Sequence, residues 1–174
     1  MQFLILGLLL DGPLTLYDLH KRFRAGVSLF YAASFGSIQR ALRQLETQGW
    51  AVPEDAHHGG RRRKLYAVSE SGRAAWREWM TSPLTGADPE QLMLARVYLL
   101  GSLPSAARED AVAVIRARLA EDHARLSALA DELDATDVPT AVAEVYRYRR
   151  ATLEYGLRSH RLALGWLDDV EAAA

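Results

Sequence analysis

A chain of 174 residues with 49% hydrophobic content is long enough for one core, or for a small domain with a helical appendage. The absence of cysteine excludes disulfides and thiolate metal sites and suits a reducing cytoplasm, the compartment expected here. The formal net charge of -1 hides an asymmetry, because residues 1–80 carry 11 Lys and Arg against 7 Asp and Glu, whereas residues 81–174 carry 10 against 15. A basic half suits a polyanion; an acidic helical half suits self-association and repels nucleic acid.

The run FLILGLLL (Phe3–Leu10) is too short to span a membrane, has no basic leader and stops at Asp-Gly-Pro, so a buried first helix is expected and no membrane partner. Thr15 followed three residues later by Asp18 resembles a capping box. Leu16, Leu19 and Phe23 then supply one apolar face of a second helix, whose end carries Lys21, Arg22 and Arg24. The segment VSLFYAA (Val27–Ala33) reads equally as a loop or a ragged helix end.

Ser34 is placed to cap a third helix in which Ile38, Ala41, Leu42 and Leu45 follow i, i+3, i+4, i+7 spacing, and Gly49 ends it. Its other face carries Ser37, Arg40 and Gln44, with Gln39 and Arg43 alongside. An ordinary solvated face would look the same. So would the recognition helix of a helix-turn-helix, because Arg, Gln and Ser read base edges and grip phosphates.

Trp50–Val52 and Leu65–Val68 are short β-type runs separated by a polar segment that holds Gly59, Gly60 and four consecutive cations, Arg61, Arg62, Arg63 and Lys64. A two-stranded hairpin after a recognition helix is a wing, and these cations would hold phosphates beside the groove, with binding that falls steeply as salt rises. Gly59 and Gly60 would let the wing tip follow a backbone closely. His57 and His58 are adjacent, lack the i, i+4 spacing of a helical metal pair and have no carboxylate array beside them, so no metal is expected. The GGRRRK run is no nucleotide loop, since a strand follows it where a helix should open.

These residues, in this order, resemble the PadR-type bacterial transcriptional regulators. The resemblance rests on FLILGLLL, on YDLHKRF (Tyr17–Phe23), on SFGSIQRALRQLETQGW (Ser34–Trp50) and on RRRKLYAVSESGRAAWREWM (Arg61–Met80), and it covers nearly half the chain. It implies a sequence-specific DNA-binding regulator, a repressor by family habit. Ser34, Ser37, Gln39, Arg40, Arg43, Gln44, Arg61, Arg62, Arg63 and Lys64 are then the DNA-binding set. Where the family usually has Gly before Tyr-Asp-Leu this chain has Leu16, and where it usually has Tyr-Pro this chain has Gln39 and Arg40. The second departure lies in the recognition helix and implies a different operator.

Ser69 opens a fourth helix through Trp76, Trp79 and Met80; SPLTGADPE breaks it before a helix from about Pro89 to Gly101. Two long helices follow Pro104. In the first, Val112, Ile115, Leu119, Leu126, Leu129 and Leu133 take a and d positions of a heptad, with Asp122 as one polar interruption. The second, from about Val138 to Val170, bears two apolar stripes: Val145, Tyr148, Thr152, Tyr155, Leu162 and Trp166 on one, and Tyr146, Leu153, Leu157, Leu164 and Leu167 on the other. One neighbour from the same chain covers one stripe, and a second copy is the simplest cover for the other.

The expected dimer residues are Tyr148, Leu153, Tyr155, Leu157, Leu162, Leu164, Trp166 and Leu167, in the region where the family dimerises through long helices. A two-fold dimer reads an inverted repeat with half-sites about one helical turn (~34 Å) apart or a multiple of it. The resemblance also raises an effector that releases DNA. Trp76, Trp79 and Tyr98, joined by Tyr148, Tyr155 and Trp166, are either ordinary core or the lining of a pocket for a flat apolar or aromatic molecule.

The expectation is therefore a mainly α chain with a small β-hairpin wing. It has an N-terminal winged helix-turn-helix domain over residues 1–82 and a C-terminal helical dimerisation domain over residues 83–174. No cofactor is expected. Nothing resembles a catalytic constellation: there is no nucleophile with a neighbouring base, and His20, His123 and His160 are scattered. A helical interaction module that has lost specific DNA binding is the rival reading, and it leaves the Arg61–Lys64 run without a purpose.

Overall fold

The computed structural model describes residues 1–58, 61–86 and 88–172; the side chains of residues 56–58, 61 and 62 also lie outside the description. The chain forms two compact units, Met1–Ala111 and Val112–Ala174. It is mainly helical with one small antiparallel sheet, as the sequence implies.

In the first unit, α1 (Gln2–Leu9) is apolar around its circumference and lies inside, with Leu4, Ile5, Leu6, Leu8 and Leu9 all buried. Asp11-Gly12-Pro13 stops it, and a two-residue strand follows, β1 (Leu14–Thr15), which the sequence pattern does not reveal. Helix α2 (Leu16–Ala25) opens with the expected capping box. The Asp18 amide donates to the Thr15 hydroxyl oxygen at 3.1 Å, and the Thr15 amide donates to the Asp18 carboxylate at 3.2 Å. The ambiguous VSLFYAA segment is a 3-10 turn at Val27–Leu29 followed by irregular chain.

Helix α3 (Phe35–Thr47) buries Ile38, Ala41, Leu42 and Leu45, the stripe expected from spacing. Gly49 ends it with a left-handed φ of 70°, which favours glycine. Strands β2 (Ala51–His58) and β3 (Arg61–Val68) pair antiparallel, Ala51 opposite Val68 and His58 opposite Arg61. Both run further than the apolar pattern, because backbone pairing continues through the polar residues. The other edge of β3 pairs with β1, Leu14 opposite Tyr66 and Thr15 opposite Leu65, in the order β1-β3-β2. Gly59 and Gly60, the expected wing tip, lie outside the described residues.

Helix α4 (Glu70–Thr81) is capped by Ser69, whose hydroxyl oxygen accepts from the Gly72 amide at 3.0 Å. Helix α5 (Pro89–Leu99) starts at Asp88, whose carboxylate accepts from Gln91 at 2.9 Å, and runs into a 3-10 turn, Leu100–Ser102. The expected boundary after residue 82 separates α5 from the helices before it. The compact unit runs on to Ala111, because α5 packs on α1 with the Leu99 methyls seated over Gly7.

Helix α6 (Ser105–Asp134) begins before the unit boundary, and most of it belongs to the second unit with α7 (Ala143–Ala172). The two run antiparallel. Arg116 of α6 pairs with Asp168 of α7 at 2.8 Å, and Arg150 of α7 pairs with Asp134 of α6 at 2.8 Å. Between these ends, Ala130, Leu126 and Leu133 pack against Leu153 and Leu157. One heptad position needs correction: Leu129 is 44% exposed and Ala130 is buried in its place. A straight α-helix of 3.6 residues per turn drifts away from a strict seven-residue repeat. Asp122 is buried as expected, in an ion triad with Arg118 and Arg125. Burial raises its pKa, but the hydrogen bonds from Arg125 and Arg118 outweigh this and hold it below the ordinary value.

Candidate nucleic-acid interface

The polar face of α3 exists because the opposite face is consumed by the core. Gln39, Arg40, Arg43 and Gln44 stand exposed. Among the described residues no hydrogen bond or ion pair engages the side chains of Gln39, Arg40 or Arg43, while Gln44 accepts from Gln2 at 3.2 Å. Ser34 and Ser37 are engaged locally. The Ser34 hydroxyl oxygen accepts the Ser37 amide at 3.1 Å, so Ser34 caps α3, and the Ser37 hydroxyl donates back to the Ser34 carbonyl at 2.8 Å.

Beside α3 stands the wing. Arg61 and Arg62 lie on β3 opposite His58 and His57, and their side chains are outside the description. Arg63 is exposed; its charge reaches the Asp18 carboxylate, which the Thr15 hydroxyl hydrogen bond, together with Arg63 and Lys21, holds below its ordinary pKa. Lys64 is different, because its ammonium donates to both carboxylate oxygens of Glu46 on α3, at 3.1 and 3.2 Å.

The joint between α3 and the wing is fixed from behind. The Ser69 and Ser71 hydroxyls donate to the Gly49 carbonyl at 2.6 and 3.2 Å, and the Ser69 amide donates to the Trp50 carbonyl at 3.0 Å. A Cβ on Gly72 would stand 2.2 Å from that carbonyl oxygen, so only glycine permits α4 to approach so closely.

The three aromatic residues of the expected effector pocket are dispersed in the first unit. Trp76 is buried and lines a cleft of about 420 Å3 with Arg73, Arg77 and Asp11, whereas Tyr98 lines another, of about 390 Å3, with Arg22 and Gly26. Trp79 lines neither. It stacks on Phe3 at 5.0 Å, Phe3 contacts Trp50, and the buried Arg96 guanidinium covers Trp79 at 5.1 Å. Burial lowers the Arg96 pKa to about 10, and its donors go to the Ser82 carbonyl at 2.5 Å and the Met80 carbonyl at 3.3 Å.

The eight residues expected at a dimer interface also divide. Leu153, Leu157 and Leu167 are buried within the chain, and Leu164 is half-buried with them. Tyr148, Tyr155 and Leu162 are exposed by 60%, 73% and 75%, and Trp166 is half-buried. The stripe that remains uncovered therefore runs through Val145, Tyr148, Thr152, Tyr155 and Leu162.

Residue-by-residue reading overlooked Glu46 as the partner of Lys64, since a pair eighteen residues apart leaves no local signal. Tyr17 and Lys21 are also exposed, on α2. Among the described residues no three His, Asp or Glu side chains stand together as a metal site, and no helix is long and apolar enough to cross a membrane.

Residues 5–78 match the family model described as the transcriptional regulator PadR-like family, and residues 92–174 match the one described as virulence activator alpha C-term. The chain is 27% identical over 175 residues to the "Probable transcriptional regulator Rv1176c" of Mycobacterium tuberculosis, covering 90% of this chain and 88% of that protein. It is 24% identical over 178 residues to the negative transcriptional regulator PadR of Bacillus subtilis, covering 99% and 96%. Crystal structures of that PadR align over 99% of this chain, one in complex with operator DNA (21% identity, 97% of that chain, TM-score 0.45) and one with p-coumaric acid (21%, 93%, 0.42). Over residues 5–78, less than half of its length, this chain is therefore similar to the PadR-like family of transcriptional regulators.

Proposed function

We propose that this chain is a cytoplasmic repressor that binds an inverted-repeat operator as a homodimer. The observation that carries the reading is the exposed Gln39–Arg40–Arg43 face of α3, unpartnered among the described residues, beside the cationic strand of the wing. These groups supply base-edge contacts and phosphate contacts from one surface. Residues 1–82 form the DNA-binding domain and residues 83–174 the dimerisation domain. The partner copy covers the Tyr148–Tyr155–Leu162 stripe, whose aromatic and aliphatic side chains are too exposed for a stripe with no partner. Gln39 and Arg40 set an operator of the chain's own, and the name of the Bacillus subtilis relative supports repression as the sign.

A flat apolar or aromatic effector is the proposed release signal, acting by preferring one of two dimer geometries. The clefts beside Trp76 and Tyr98 support this reading as places that could admit such a molecule.

The test is fluorescence anisotropy of labelled DNA from immediately upstream of the protein's own gene, against a scrambled control, at low and near-physiological salt. Tighter binding to the native fragment that survives the higher salt is the expected result. Equal binding to both fragments that salt erases would remove operator recognition at that site. No binding at either salt would overturn the regulator reading and leave α6 and α7 as an interaction module.

A further inference from the structure

The cations Arg61–Lys64 are one run in sequence, but a strand does not use them alike. Successive side chains of a strand leave on opposite faces. Tyr66 and Val68 are on the buried face of β3, and Lys64, two residues before Tyr66, shares that face. Its ammonium lies 5.1 Å from the centre of the Tyr66 ring and donates to both oxygens of Glu46 in the last turn of α3. Arg63 leaves on the opposite face and makes no ion pair of contact length among the described residues.

A cation adds to DNA affinity by neutralising a phosphate and releasing the counterions condensed there. A cation that already carries a carboxylate partner releases none unless it first gives that partner up. Glu46 stands three residues beyond Arg43, at the edge of the surface that faces DNA, where an unmatched carboxylate would repel phosphates. Joined to Lys64, it is electrically silent. The pair also ties the base of the wing to the C-terminal turn of α3, so the angle between the two DNA-contacting elements is held by a bond from one to the other.

We propose that Glu46 withdraws Lys64 from the phosphate-binding set, making the two a positioning pair that fixes the wing against the recognition helix, while Arg63 is a phosphate contact. The proposal rests on the DNA-binding reading above. It separates four like residues into different roles, where the sequence alone treats them as equivalent.

The test uses the full chain and measures the slope of log affinity against log salt between about 50 and 200 mM, where each phosphate contact contributes about 0.9. The variants are Arg63→Gln, Glu46→Gln and the double variant Glu46→Gln/Lys64→Gln, each checked for wild-type helicity and melting. Arg63→Gln should flatten the slope by about 0.9. Glu46→Gln frees Lys64, so it should steepen the slope by about 0.9, and its advantage over wild type should grow about threefold as salt falls across that range.

The double variant removes both charges and should keep the wild-type slope, a result that loss of a merely structural bond would not give in combination with the steepening. A double variant as flat as Arg63→Gln, or a Glu46→Gln slope equal to wild type, would overturn the assignment alone. Failure of the wild-type chain to bind any DNA would overturn the DNA-binding reading and this assignment with it.

Discussion

Single atoms set the rigidity of the joint behind α3. A methyl group at Gly72 would meet a backbone carbonyl 2.2 Å away, and backbone cannot swing aside as a side chain can. Gly72→Ala should therefore destabilise the first unit by about 1–3 kcal/mol, the usual cost of overpacking, seen as a lower urea midpoint. Local sequence gives no physical reason for Gly72, because the clash lies with Trp50, twenty-two residues earlier. The α2 cap was legible, since its two partners are three residues apart. Its Asp18 carboxyl titrates below the ordinary carboxylate value because the Thr15 hydroxyl hydrogen-bonds to it. A lowered folded pKa means stability that is present at neutral pH, declines once pH falls below the unfolded value of 3.8, and is gone below the folded one. Thr15→Ala should cost about 1 kcal/mol at neutral pH and progressively less in acid, measured by denaturant titration across pH 2–7.

Helices declared themselves at the level of elements, and short strands did not. The apolar stripe of α3 was readable at i, i+3, i+4, i+7 because tertiary packing agreed with local periodicity. Strand β1 escaped notice because two residues hold no alternation; it exists only by pairing with β3, fifty residues later. The α6 seam was legible except at Leu129, where a strict heptad and the helix's own period part company. This gives a contrast within the second unit. Leu157→Ala should destabilise that unit by about 2–4 kcal/mol, whereas Leu129→Ala should change it by less than about 0.5 kcal/mol, both read from thermal unfolding of the full chain. Equal losses would restore the strict heptad.

The charge asymmetry of the sequence survives, for the whole molecule, as a division between a unit with exposed cations on α3 and β3 and a unit of two paired helices. What composition could not reveal is which α7 stripe its own chain covers. Leu153, Leu157 and Leu167 turn out to be the inward stripe, leaving Tyr155 and Leu162 outside. If the proposed dimer forms through that stripe, Tyr155→Glu with Leu162→Glu should halve the mass found by light scattering while preserving helicity, and a wild-type chain of monomer mass would overturn the dimer. Operator affinity should fall roughly a hundredfold, because the second half-site loses its linked partner. A dimer that survived both charges would place the two-fold contact on another surface.

Thr15 belongs at once to β1 and to the cap of α2, with one neighbour across the sheet at Leu65 and another up the helix at Asp18. A residue shared in this way makes two elements open as one. Amide protons in the first turn of α2 and at the Leu65–Tyr66 end of β3 should exchange with deuterium at a common rate, slower than the outer wing. That shared protection would vanish in Thr15→Gly, even though the strand pairing itself asks for no side chain.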